Sequence, residues 1–133
     1  MKMQESLVNV VLREGEGENI SSVFRLSGVL SEWLFSSKFW SDFNERHGTM
    51  FDQYEEDEAK APIVKALAEA LEEKIAALQS NDAINIEFVY GWTSERAPLT
   101  TSISRVQLLS ELAEFHDFLV ASVGKNLLLS FSL

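Results

Sequence analysis

Between Pro62 and Trp92 the spacing of apolar residues switches from a helical to an extended period, which commits the chain to a helix running straight into a strand. Val64, Leu67, Leu71, Ile75 and Leu78 step by 3, 4, 4 and 3 residues and lay one apolar stripe along a helix. Pro62 suits the first turn of that helix, where its missing N–H leaves no bond unmade. Ser80, Asn81 and Asp82 supply turn chemistry at the other end. Ile84, Ile86, Phe88, Tyr90 and Trp92 then alternate with Ala83, Asn85, Glu87, Val89 and Gly91, the pattern of a strand. One face of that strand is apolar and the other mixed, as in a sheet covered by helices on one side.

The rest of the chain can be read around this unit. Val8, Val10 and Leu12 share one face of a strand over about 6–13. Asn19 can cap a helix in which Ile20, Val23, Phe24, Ser27, Leu30 and Leu34 share a face. Ile20, Ser22, Phe24 and Leu26 also alternate, so a hairpin strand is the rival for its first half. The helix is preferred. Gly48 closes a short helix over 38–47. Ser104 and Gln107 form a capping box, with Ile103 and Leu108 at the positions of a hydrophobic staple. The stripe Leu108, Leu112, Phe115 and Leu119, flanked by Val106, Leu109 and Ala113, predicts a heavily buried final helix. The sequence therefore predicts a single α+β domain over 1–133. Its small mixed sheet has three to four strands, at about 6–13, 83–92, 99–103 and 126–133. Its helices, at about 20–36, 38–47, 62–79 and 105–123, pack mainly on one face.

Composition narrows the function. The chain is 46% hydrophobic, with nine Phe and three Trp, so it can fill a core despite a net charge of −10. Eleven basic residues against 21 acidic ones argue against nucleic-acid binding, which depends on neutralising phosphates, and against anionic membranes. There is no cysteine, hence no disulfide framework or thiolate metal site. The first residues hold no apolar core of a signal peptide and no segment is long enough to span a bilayer, so a cytoplasmic location is expected.

Motifs of catalysis are missing. The segment Glu14–Glu18, EGEGE, is glycine-spaced but anionic and would repel a phosphate. His47, near Glu45, is expected on a surface loop, and His116 at the edge of the core. Two isolated histidines do not make a zinc site, and neither a nucleophile elbow nor a dinucleotide fingerprint is present. No enzyme, metal or cofactor is expected, a carboxylate-based hydrolase remaining the distant alternative.

What stands out is charge. Five of the seven residues from Asp52 to Glu58 are acidic. Proximity to the helix starting near Pro62 explains Asp57 and Glu58 through the helix dipole, but that effect fades within a turn and leaves Asp52 to Glu56 unexplained. Upstream, WLFSSKFWSDF packs Trp33, Phe35, Phe39, Trp40 and Phe43 into eleven residues. Aromatic anchors beside acids are characteristic of interfaces. The candidate partner-binding residues are Asp52, Glu55, Glu56, Asp57 and Glu58, with Trp40 and Tyr54 as anchors. The expected partner is a basic protein. A homodimer or an adaptor role is the alternative.

In type and element order the chain resembles the immunity proteins of bacterial polymorphic and contact-dependent toxin systems. The order is an N-terminal strand, an aromatic-rich helical stretch, an acidic segment ahead of helix 62–78, a strand, a Thr100-Thr101-Ser102 turn, and a last helix and strand. The likeness rests on no single motif, so no residue's role is carried over. It implies inhibition of one cognate toxin by tight binding, usually over a basic active site such as a nuclease's, with the acids steering the encounter.

Overall fold

The computed structural model describes residues 3–13 and 18–133, apart from the side chains of residues 12, 13 and 18–22. Most of the EGEGE segment lies outside the described residues, as do the first two residues. The fold is α+β: β1 (Ser6–Arg13), β2 (Glu18–Leu26), α1 (Gly28–Ser36), α2 (Phe39–His47), β3 (Glu56–Ala59), α3 (Ala61–Gln79), β4 (Asn85–Trp92), β5 (Pro98–Ser104), α4 (Arg105–Gly124) and β6 (Leu128–Ser132).

Two predicted features need correction. The first is the helix expected over 20–36. Glu18–Leu26 is instead a strand paired antiparallel with β1, Val8 opposite Phe24 and Ser6 opposite Leu26, and helix begins only at Gly28. The two periods share Ile20 and Phe24, and the β-branched Ile20 and Val23 favour the extended form. Ser27 then places the boundary, its hydroxyl accepting from the Leu30 N–H at 3.2 Å while donating to Glu111 at 2.5 Å.

The second correction concerns the sheet. It is not mixed and it does not hold all the strands. Four strands pair antiparallel in the order β2-β1-β6-β3, and β4 and β5 form a separate antiparallel hairpin. β3, in the acidic segment, lies between two predicted helices. Four residues reading Glu-Asp-Glu-Ala carry almost no strand preference, and their extended form comes from pairing with β6, Asp57 opposite Phe131 and Ala59 opposite Leu129.

The other predicted elements appear where the periodicity put them. On α3, Val64, Leu67 and Leu71 are fully buried and face α4, whose Leu108, Leu112, Phe115 and Leu119 are buried too. The Ser104 cap holds, accepting from the Gln107 N–H at 3.1 Å, but the Gln107 side chain turns to Glu111 instead of completing the box. Val106 and Ala113 are exposed, so α4 buries one stripe and is less enclosed than its composition suggested.

The core joins the sheet to the helices through one aromatic cluster. Val8, Val10, Leu129 and Phe131 line the covered face of the sheet. Trp40 packs at their edge, with ring centroids 5.1 Å from Phe51, 5.2 Å from Phe39 and 6.3 Å from Phe131. Burying side chains of this size stabilises by about 1.5–3 kcal/mol each. The cluster fixes α2 and the loop after it against the end of β6, which is also where the acidic segment passes.

Candidate functional site

The loop joining α2 to β3 is held from both sides. Gly48 ends α2 in the left-handed conformation, its N–H bonded to the Asn44 carbonyl at 2.9 Å. Asn44 then acts as an anchor for the loop. Its Nδ2 donates to the Phe51 carbonyl at 2.7 Å, and its Oδ1 accepts from Thr49 Oγ1 at 2.7 Å and the Phe51 N–H at 2.9 Å. Phe51, almost fully buried, becomes a peg from which residues 52–55 run over the surface.

Gln53 ties the next turn to α1. Its amide donates at 2.9 Å to Glu32, a carboxylate on α1 that is only 9% exposed. Burial pushes the Glu32 carboxyl up from its ordinary value, and the Gln53 hydrogen bond partly offsets this. Tyr54 follows with φ of 66° and is 71% exposed. For a bulky residue this left-handed conformation costs about 1–2 kcal/mol, and it presents the ring to solvent instead of to the core.

The acids then follow along the loop and β3. Asp52, Glu55, Glu56 and Glu58 are exposed and Asp57 is half-buried. Among the described residues Asp52, Glu55, Glu56 and Asp57 form no ion pair. Asp57 and Glu58 are not the charged lead-in to α3 that the sequence suggested. They belong to β3, and the first turn of α3 holds no acid. Asp57 is opposite Phe131 and shares its face of the sheet, so its carboxylate turns inward. Its Oδ2 is buried and has no donor among the described residues. Burial, and then the charge of Asp52, raise the Asp57 pKa.

Beside this ridge lies a shallow groove of about 450 Å³ lined by Phe35, Trp40, Asn44, Met50, Asp52 and Glu55, among others. The structure thus brings Asp52, Glu55 and Tyr54 together with the acids of β3. It does not bring Trp40 with them as an anchor: at 1% exposure Trp40 is the centre of the aromatic cluster and offers the groove almost no surface. Met50, 81% exposed at the rim of the groove, was not singled out by the sequence, because a lone methionine in a loop carries no pattern. Asn44 was missed for the same reason, although Asn ahead of a helix-ending glycine is a common source of loop hydrogen bonds.

The histidines take no part in the surface. His47 belongs to the last turn of α2 and stacks on Phe43, with centroids 4.3 Å apart, so it is not the loop residue expected. His116 bridges Glu72 at 2.9 Å and Asp117 at 3.2 Å on the α3–α4 face. No group of three metal-ligating side chains is assembled among the described residues, nor is any described helix long and apolar enough to cross a membrane. No family model matches the chain, nor does any curated protein or solved structure.

Proposed function

We propose that this protein is a binding protein whose surface over residues 52–58 recognises a basic protein partner. The observation that carries this reading is the lack of compensation. Asp52, Glu55, Glu56 and Asp57 are gathered within one short, anchored segment without a single ion pair among the described residues. Concentrating like charge opposes folding, and an exposed tyrosine held at positive φ adds a further cost. The charge cost is recovered on contact with a positive surface, where the acids speed association and Tyr54 and Met50 supply apolar contact. In type the chain is similar to toxin immunity proteins, so the partner we expect is a basic toxin domain held by direct contact.

The test is binding to the product of a neighbouring gene, where that product carries a basic C-terminal domain. The parent is compared with the combined variant Asp52→Asn, Glu55→Gln, Glu56→Gln and Asp57→Asn across a salt series. A loss of affinity on the order of 10²-fold or more, with a flatter salt dependence, is expected. An unchanged affinity and slope would remove the surface from consideration.

A further inference from the structure

Among the described residues β3 is the outermost strand of its sheet, bonded on one side to β6 and unpaired by any strand on the other. The Leu133 N–H donates to the Glu55 carbonyl at 3.2 Å, which fixes the phase of the ladder. Antiparallel pairing alternates, so the backbone groups of Asp57 and Ala59 point toward β6 and those of Glu56 point away. Side chains alternate as well. Ala59 is buried beside Leu129 and Asp57 follows it to the same face, while Glu56 lies on the opposite face next to Ser132.

An edge of this kind is selective. Short length and an inward-turned charge discourage indiscriminate strand pairing. A second copy of β3 would set acid against acid. A neutral strand would bury the Asp57 carboxylate further and still leave Oδ2 without a donor. A strand with a cation opposite Asp57 meets the reverse situation. Because Asp57 spends its own backbone groups on β6, its neighbour on the open side would form a non-hydrogen-bonded pair, the closer of the two kinds, with Cα atoms about 4.5 Å apart. An ammonium or guanidinium there would lie against the half-buried Asp57 carboxylate and near Asp52.

We propose that β3 accepts an extended segment of the partner as a fifth strand, antiparallel to β3, bonded through the backbone of Glu56 with a lysine or arginine opposite Asp57. This rests on the reading of residues 52–58 as the surface for a basic protein and adds how the partner engages it. Specificity would come from the position of one cation, and affinity from the main chain as well as from charge.

A synthetic peptide, acetyl-Thr-Val-Lys-Val-Thr-amide, serves as the probe, with its glutamine-centred counterpart as control. Amide exchange and the Asp57 carboxyl titration are followed by NMR on the parent protein. The lysine peptide is expected to slow exchange at the Glu56 N–H by about tenfold or more at saturation and to move the Asp57 titration to lower pH. The control should do neither. Equal effects of the two peptides, or none at Glu56, would overturn the proposal.

Two variants separate strand addition from charge alone when the full basic partner is used. Glu56→Gln removes the carboxylate, and Glu56→Pro removes both the carboxylate and the outward N–H, which β6 does not use. Thermal melts verify that both fold. Loss of binding at least about tenfold greater for Glu56→Pro supports the added strand. Equal losses reject it while leaving the acidic surface standing. No salt-dependent binding by the parent would reject both.

Discussion

Two acidic surfaces of this protein differ in how their charge is handled. On the α3–α4 side, Glu72 is paired with His116 at 2.9 Å and Glu73 with Arg46 at 3.2 Å. Glu111, near the start of α4, accepts from Ser27 and Gln107. On the β3 side, Asp52, Glu55, Glu56 and Asp57 have no such ion pairs among the described residues, although the backbone beneath them is firmly held by Asn44, Phe51 and Gln53. A surface that exists only to keep a domain soluble can tolerate local neutralisation. An uncompensated charge on an ordered frame is more costly, and that cost points to an external counterpart.

The contrast can be broken or sharpened by substitution. The largest effect is expected at the frame. Trp40→Ala should lower unfolding free energy by about 3–5 kcal/mol in urea titration, because it empties the centre of the aromatic cluster. A small loss there would mean that the ridge has no rigid support. Asn44→Ala follows, at about 1–3 kcal/mol, since it strips three hydrogen bonds from the loop. It should also raise amide exchange at residues 50–54 ahead of global unfolding.

Asp57→Asn should act in the other direction and depend on pH. A carboxyl whose folded pKa is raised contributes stability that is fully present below its unfolded pKa and is lost as pH rises through the folded value. The parent is therefore penalised at neutral pH. Asp57→Asn should be the more stable protein at pH 7, and the advantage should shrink as pH falls through the carboxylate range toward about pH 3. Glu32, also raised by burial, predicts the same sign for Glu32→Gln, opposed by its tie to Gln53. The smallest effect belongs to the paired side. Glu73→Gln should change stability by no more than about 0.5 kcal/mol and leave partner affinity alone, as exposed pairs contribute little. If it weakened binding as much as the ridge variants do, the two surfaces would not differ in kind.

How much of this was legible in the sequence depended on the length of each signal. The stripes of α3 and α4 and the alternation of β1 and β4 extend over enough residues to be unambiguous. The region around residues 18–26 satisfied two periods at once, and its partner strand decided between them. β3 had no local signal, because its conformation is supplied by β6 about 70 residues later in the chain. The acids themselves were plain to read. That Asp57 turns inward, that Trp40 is buried and that Asn44 anchors the loop are all consequences of tertiary packing.

Among the described residues β3 has a single neighbour in the sheet, β6 (Leu128–Ser132), which follows it only after two helices and a hairpin. β1 flanks β6 on the other side, residues 7–11 pairing with 128–132. α3 can form from local contacts, but the acidic edge needs residues 128–132 in place, a pairing of long sequence separation. Without Leu128–Ser132 the acidic edge would lose the strand that holds it extended, while the Asn44 and Gln53 contacts of the loop before it lie elsewhere in the chain.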